Sequence, residues 1–135
     1  MQADRPASLL VIEDDAFMAA LLTFLFERER MHVRCLADGR AALEQLAHAP
    51  EVDAVVLDLM LPQASGMEVL ARLREQRLWA KVPVLVLSAL DGGADEAQAL
   101  RAGANDYLSK PFDPQVLSAR LARLLPRVSA GGDRV

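Results

Sequence analysis

The chain has 135 residues, of which 53% are hydrophobic and 25% are charged, so it has the size and apolar content of one folded domain. Its net charge is −4 and no basic patch stands out, which argues against direct nucleic acid binding by this segment. No apolar run is long enough for a signal sequence or a membrane span, so we expect a cytoplasmic protein that does not engage a membrane.

Short apolar runs alternate with segments of helical spacing along most of the chain. The runs that predict strands are residues 9–12, 33–36, 52–57, 84–87 and 107–108. The segments that predict helices are residues 16–29, 40–47, 67–76, 95–102 and 114–125. This alternation predicts a flavodoxin-like α/β fold, a doubly wound five-stranded parallel sheet in the order 2-1-3-4-5 with helices on both faces.

The ends of the chain differ in character from its middle. We expect residues 1–6 to form an N-terminal tail, residues 7–125 to form the domain, and residues 126–135 to be a flexible tail or the start of a linker.

Two further segments predict local detail. The first helix has apolar residues at helical spacing, namely Phe17, Ala20, Leu21, Phe24 and Leu25. Asp15, just before it, is predicted to cap that helix. Cys35 is the single cysteine and lies in the alternating second strand, where we expect a small buried hydrophobe.

Three carboxylates follow two of the apolar strands. Glu13 and Asp14 come directly after residues 9–12, and Asp58 comes directly after residues 52–57. In the predicted strand order these two strands are neighbours, so the carboxylates meet at the carboxyl edge of the sheet, where such folds bind their ligands. Like charges this close repel unless a proton or a cation intervenes, and an all-oxygen ligand set suits Mg²⁺.

Two more polar residues are predicted to reach the same edge. Ser88 ends the fourth strand and Lys110 follows the fifth. Asp58 stands alone at its strand end, so it is the best candidate to accept a phosphoryl group, whereas Glu13 and Asp14 are suited to orienting a metal ion. Lys110 then supplies a positive charge for a phosphoryl oxygen or for the acceptor carboxylate, and Ser88 supplies a hydrogen bond for another phosphoryl oxygen.

Four segments of the sequence resemble the receiver domain of two-component response regulators. They are VIEDD at 11–15, VLDLMLP at 56–62, PVLVLSA at 83–89 and GANDYLSKPF at 103–112. The resemblance covers about residues 7–125 and holds in four places in register. It implies a bacterial signalling protein that is not an enzyme acting on an independent substrate, although it catalyses its own phosphorylation and dephosphorylation.

The resemblance also implies roles for the site residues. Asp58 accepts the phosphoryl group from a phosphohistidine of a sensor histidine kinase or phosphotransfer protein. The implied Mg²⁺ ligands are Glu13, Asp14, Asp58 and the backbone carbonyl of Met60. The implied phosphoryl-binding residues are Lys110, Ser88 and Ala89. On phosphorylation, Ser88 moves toward the phosphate and Tyr107 swings inward, which changes the face formed by the fourth helix, fifth strand and fifth helix.

Residues 106–120 resemble the subfamily whose full-length members are winged-helix transcription factors. Asp106 and Arg120 match one ion pair of that subfamily's dimer face, so the resemblance makes a phosphorylation-dependent homodimer one expectation. Other pairs of that face are not present here, since Glu96 and Val116 occupy positions where the subfamily has a basic and an acidic residue. Transcription regulation follows if this segment belongs to a longer chain.

Two alternative functions stay open at this point. A phosphatase with an aspartyl nucleophile also begins its reaction by forming a phosphoaspartate. That class usually has a second Asp two residues after the first, where this chain has Met60. A phosphate-independent interaction module of the same shape is the other alternative, and its usual sign is loss of the acceptor or the lysine, both of which this chain retains.

Overall fold

The computed structural model describes residues 5–89 and 93–125, with residues 93 and 94 described by their backbone alone. Five parallel strands form one sheet in the order β2-β1-β3-β4-β5, which confirms the predicted topology and fold class. The predicted tail at 126–135 and the first four residues lie outside the described residues. In the described part of the chain, no helix combines the length and apolarity that a membrane crossing requires.

The elements alternate strictly along the chain. The strands are β1 (Ser8–Ile12), β2 (His32–Leu36), β3 (Ala54–Asp58), β4 (Val84–Ser88) and β5 (Asp106–Ser109). The helices are α1 (Ala16–Arg28), α2 (Gly39–Gln45), α3 (Gly66–Glu75), α4 (Gly93–Arg101) and α5 (Pro114–Leu124). Each boundary lies within two residues of its prediction, which is the usual uncertainty of element ends.

Burial on both faces of the sheet explains the apolar runs. Every residue of β3 and of β4 is buried, as expected for central strands of a parallel sheet. Side chains of β1 alternate between two cores, because successive residues of a strand point to opposite faces. Leu10 and Ile12 pack with residues of α2, α3 and α4, whereas Leu9 and Val11 pack with residues of α1 and α5.

The prediction that Cys35 is buried is wrong. Its side chain is exposed, although its Sγ atom lies 3.3 Å from Oγ1 of Thr23 in α1. The physical reason is the place of β2 at the edge of the sheet, where only one neighbouring strand and the margin of α1 cover the side chains.

Helix α1 buries a different stripe from the one that its spacing singled out. Its buried residues are Leu22 and Phe26, whereas Phe17 and Phe24 are 76% and 57% exposed. The helix is apolar on almost every side, so helical spacing alone does not identify the face that meets the sheet. Part of the Phe24 ring is covered by Arg28, whose guanidinium carbon lies 5.6 Å from the ring centroid.

Polar caps fix where four helices begin, and each of those starts follows the carboxyl end of a strand. Asp15 accepts from the backbone N–H groups of Phe17 and Met18, which confirms its predicted capping role. Asp38, Ser65 and Asp113 cap α2, α3 and α5 in the same way. The caps hold the loops that surround the carboxyl edge.

A half-buried arginine ties together the opposite edge of the sheet. The guanidinium of Arg74 donates to the backbone carbonyls of Gly103 (2.8 and 2.9 Å) and Val82 (2.7 Å) and to Oδ1 of Asn105 (2.9 Å). Its burial lowers its pKa. Asn105 Oδ1 also accepts from the backbone N–H of Val84, so one side chain of α3 links the starts of β4 and β5. No signal in the sequence pointed to this network.

Candidate functional site

The three predicted carboxylates meet at the carboxyl edge of the sheet. Strands β1 and β3 are paired with Ile12 opposite Leu57, so Glu13 and Asp58 leave the sheet side by side. One oxygen from each of Glu13, Asp14 and Asp58 lies within 4.8 Å of the others. Glu13 and Asp58 are buried and Asp14 is exposed, so the cluster is open to solvent on the side of Asp14.

Lys110 lies between two of these carboxylates. Its Nζ atom is 2.8 Å from Oε1 of Glu13 and 3.3 Å from Oδ2 of Asp58. The backbone N–H of Lys110 donates to the carbonyl of Ser88 at 2.8 Å, which fixes the backbone of Lys110 beside the end of β4. The Lys110–Pro111 peptide bond is cis. The contact with Asp58 was predicted, but the shorter contact with Glu13 was not.

That missed contact follows from the reach of the lysine. In the sheet, β5 is separated from β1 by β4 and β3, so strand order alone does not place Lys110 next to Glu13. Only the folded positions of both side chains bring their charged ends together.

Burial and charge act on the pKa values of this cluster in opposite directions. Burial raises the pKa of Glu13, and the neighbouring Asp58 carboxylate adds to the rise, which together outweigh the hydrogen bond from Lys110. For Lys110, burial alone lowers the pKa, but the hydrogen bond to Glu13 and the charges of Asp58 and Glu13 outweigh it, so the pKa of Lys110 is raised. The lysine is therefore held as an ammonium ion inside an acidic cluster.

Ser88 and Ala89 lie at the end of β4, next to the acidic cluster. The strand pairing sets Asp58 opposite Leu87, one residue before Ser88. Ser88 is fully buried, whereas Ala89, the next residue, is exposed to solvent. Ser88 therefore lies at the carboxyl edge of the sheet, where the sequence analysis expects it.

The loop after β3 is held close to the site by its backbone. The N–H of Met60 donates to Oδ1 of Asp58 at 3.1 Å, while the Met60 side chain is 55% exposed. A Cβ atom on Gly39 would lie 2.0 Å from the carbonyl oxygen of Ala64. A Cβ atom on Gly66 would lie 2.4 Å from the carbonyl oxygen of Asp58. Both glycines thus allow a close approach that a larger residue would prevent.

Tyr107, the second predicted switch residue, and the predicted dimer-face residues belong to β5 and α5 and not to the acidic cluster. Tyr107 of β5 is 5% exposed, so its side chain lies inside in this structure. Asp106 and Arg120 form an ion pair within the chain, with Oδ1 and Nη1 2.9 Å apart. Both residues line a surface hollow with Glu96 and Arg123 between α4, β5 and α5.

Taken together, the geometry suits transfer of an anionic group to a carboxylate. Asp58 is fixed at a strand end, two other carboxylates can share a hard cation with it, and a lysine ammonium group is within 3.3 Å. No buried side-chain nitrogen or oxygen among the described residues lacks a hydrogen-bond partner, so the cluster is satisfied as it stands.

The sequence matches the family described as the response regulator receiver domain over residues 9–122. Transcriptional regulatory protein TcrA of Mycobacterium tuberculosis is 46% identical over 119 residues, which cover 88% of this chain and 46% of TcrA. This chain spans about half the length of the curated relatives it matches.

Two solved structures show the same fold. The receiver domain of sensor histidine kinase PA1611 from Pseudomonas aeruginosa, which has a magnesium ion coordinated in its active site cleft, matches with a TM-score of 0.80 at 28% identity and covers 88% of this chain and 97% of that one. The BeF3-activated N-terminal receiver domain of Klebsiella pneumoniae RstA matches with a TM-score of 0.79 at 32% identity and covers 87% and 97%. The sequence match spans nearly all of the described chain and the fold agrees with it, so this chain belongs to the response regulator receiver domain family.

Proposed function

We propose that this domain is a switch that accepts a phosphoryl group on Asp58 from a phosphohistidine of a histidine kinase or phosphotransfer protein. The observation that carries the proposal is the meeting of Glu13, Asp14 and Asp58 within 4.8 Å, with Lys110 3.3 Å from Asp58. Three carboxylates beside an ammonium group are suited to bind a divalent cation and the oxygens of a phosphoryl group, and are poorly suited to an uncharged ligand.

The transfer exchanges one bond to phosphorus for another. A carboxylate oxygen of Asp58 forms the new P–O bond while the P–N bond to the donor imidazole breaks and the imidazole leaves. The Lys110 ammonium group and the hydroxyl of Ser88 hold phosphoryl oxygens, with the backbone of Ala89 at the same strand end. Because the acceptor and these groups are fixed at strand ends, most of the catalysis is positioning and charge stabilisation.

Mg²⁺ fits the ligands that this chain offers. The carboxylates of Glu13, Asp14 and Asp58 with the backbone carbonyl of Met60 would hold it, and all four are hard oxygen ligands. When bound, the ion neutralises charge on the transferred group. The magnesium ion of the PA1611 receiver domain supports this assignment by relationship.

The exposed side of α1 supports docking of a phosphodonor protein. Phe17 and Phe24 are 76% and 57% exposed, and α1 begins two residues after Asp14, beside the acidic cluster. Large apolar side chains that face solvent next to a functional site are typical of a protein interaction surface. We therefore place the donor's contact on this side of α1.

The readout lies on the face formed by α4, β5 and α5. Binding of a phosphoryl group at Ser88 and Lys110 would favour one position of Tyr107 over another, because a ligand shifts a two-state equilibrium by its differential contacts. Leu100 and Val116 on this face are 41% and 38% exposed, so a homodimer or an output domain has apolar area to bury. Transcription regulation is our proposal for the longer chain, by relationship to TcrA.

The two alternative functions gain no support. The phosphatase hypothesis lacks the second Asp two residues after Asp58, since Met60 occupies that position with an exposed side chain. The phosphate-independent module is disfavoured because Asp58 and Lys110 are both present and in contact.

Acetyl phosphate with Mg²⁺, followed by intact-protein mass spectrometry, tests the proposal. The wild type should gain one phosphoryl group and Asp58→Asn should gain none. Asp15→Asn is the matched control, because Asn still caps α1 and the change lies beside the site. Phosphorylation that persists in Asp58→Asn, or that is lost equally in Asp15→Asn, contradicts the assignment of the acceptor.

A further inference from the structure

A groove runs between the carboxyl ends of α2 and α3. Two adjoining hollows form it, and both are lined by Leu46, Ala47 and Gln76, so the groove is continuous and elongated. The larger hollow has a volume of about 500 Å³ and is open to solvent. Helices α2 and α3 begin after the carboxyl ends of β2 and β3, so their own ends, and the groove, lie away from Asp58.

The groove has an apolar floor and an exposed apolar rim. Leu46 and Trp79 line it and are buried, so they form the floor. Leu43 of α2 lines the smaller hollow. Leu78 stands at the rim and is 63% exposed. A single exposed leucine is ordinary, but one that adjoins an apolar groove is typical of a surface that a partner covers.

The turn that carries Leu78 is held in place on both sides. The backbone N–H of Trp79 donates to the carbonyl of Gln76 at 3.0 Å, and that of Val82 donates to the carbonyl of Trp79 at 3.0 Å. The indole Nε1 of Trp79 donates to the carbonyl of His48 at 2.8 Å, which joins the turn after α3 to the residues after α2. Leu78 is therefore presented in a fixed position, which lowers the entropic cost of binding a partner.

The charges of the groove are positive, although the chain as a whole has a net charge of −4. Arg72 and Arg77 line it together with His48, and neither arginine makes an ion pair with a described residue. Glu44 and Glu75, the last acidic residues of α2 and α3, are not among the lining residues. Guanidinium groups beside an apolar floor complement a ligand that is both acidic and apolar.

We propose that this groove binds an acidic amphipathic segment of a partner protein. The apolar side chains of that segment pack against Leu78 and the floor, and its carboxylates pair with Arg72 and Arg77. A second copy of this chain is a poorer occupant, because a symmetric contact brings two positive rims together. A nucleic acid is also a poorer occupant, because Trp79 is buried and cannot stack on bases. This surface is separate from α1 and from the face of α4, β5 and α5.

Two synthetic peptides of about fifteen residues test the proposal by NMR with ¹⁵N-labelled protein. The first has Leu along one face of a helix and Glu at the flanking positions, and the second has Gln in place of every Glu. The acidic peptide should shift the backbone signals of residues 43–48 and 72–79 and leave those of α1 in place. The Gln peptide should bind about threefold more weakly or worse, because it forms no ion pairs with the arginines.

Variants of the groove separate its apolar and charged contributions. Leu78→Asp should weaken binding of the acidic peptide at least about tenfold, because the apolar contact is lost and a negative charge is added. Leu100→Asp is the matched control, because Leu100 is exposed on α4 outside the groove. Arg77→Gln should weaken binding, whereas Arg34→Gln on β2 should not. Circular dichroism establishes that each variant is folded.

Several results overturn the proposal. They are no binding of the acidic peptide at about 1 mM, equal binding of the Gln peptide, shifts confined to α1, and undiminished binding by Leu78→Asp. Dimerisation of the wild type in sedimentation that Leu78→Asp abolishes assigns the groove to a second copy instead. Binding to phosphatidylserine vesicles that the same change abolishes assigns it to a lipid surface instead.

Discussion

Replacement of Arg74 by Met is the sharpest test of how the sheet is held together. Arg74 donates hydrogen bonds to the carbonyls of Gly103, Val82 and Ala80 and to Oδ1 of Asn105. These acceptors belong to the segments that lead into β4 and β5, whose other ends carry Ser88 and Lys110. Arg74 therefore lies at the opposite end of the sheet from the site, but it holds in place the two strands that position Ser88 and Lys110.

The magnitude follows from the acceptors left behind. The carbonyl of Ala80 is on an exposed residue, so water replaces the lost hydrogen bond there. The hydrogen bonds to Val82 and Gly103 are partly buried, and each unsatisfied buried acceptor costs about 1–2 kcal/mol. Asn105 keeps its bond from the Val84 N–H. We expect Arg74→Met to lower the free energy of unfolding by about 2–4 kcal/mol.

Urea denaturation of Arg74→Met, followed by circular dichroism, measures this value. Arg72→Met is the control, because Arg72 lies on the same helix and its side chain is exposed. Arg74→Lys should fall between the two, since one ammonium group cannot replace the forked guanidinium. If Arg74→Met and Arg72→Met have the same unfolding free energy within about 0.5 kcal/mol, the network contributes little and our reasoning is refuted.

Three further predictions concern stability and exposure. The folded-state pKa of Glu13 is raised above its ordinary value of 4.5, so the stabilisation that a protonated Glu13 provides is complete below that value and is lost as pH rises through the folded pKa. Glu13→Gln should therefore melt at a higher temperature than the wild type at pH 7 without Mg²⁺, and a lower melting temperature contradicts this. Gly39→Ala should lower the unfolding free energy by about 1–3 kcal/mol in urea, because its Cβ would meet the Ala64 carbonyl oxygen at 2.0 Å, and an unchanged value shows that the loop moves freely. Cys35 should react with a maleimide in the native protein, as mass spectrometry can show, and a requirement for denaturant contradicts its exposure.

Much of the fold was predictable because local patterns and global topology agree here. A continuous apolar run is typical of a strand covered on both faces, and every residue of β3 and of β4 is buried. The regular alternation of strands and helices then limited the topology to very few arrangements, of which 2-1-3-4-5 was the predicted one and is the one observed.

The candidate site was predictable for the same reason. Glu13, Asp14 and Asp58 are each tied to the end of a strand, so strand order alone brings them together. Asp15 was predictable as a cap because capping depends only on residues next to it in the sequence. Where a position depends on the backbone or on nearest neighbours, the sequence was sufficient.

Only the tertiary structure decided the contacts made by long side chains and the choice of which side of a helix or strand is buried. Helix α1 is apolar nearly all round, so only the position of the sheet selects Leu22 and Phe26 for burial and leaves Phe17 exposed. Cys35 is exposed because β2 ends the sheet. Lys110 meets Glu13 because a long flexible side chain reaches past two strands to this carboxylate, and no periodicity in the sequence encodes that contact.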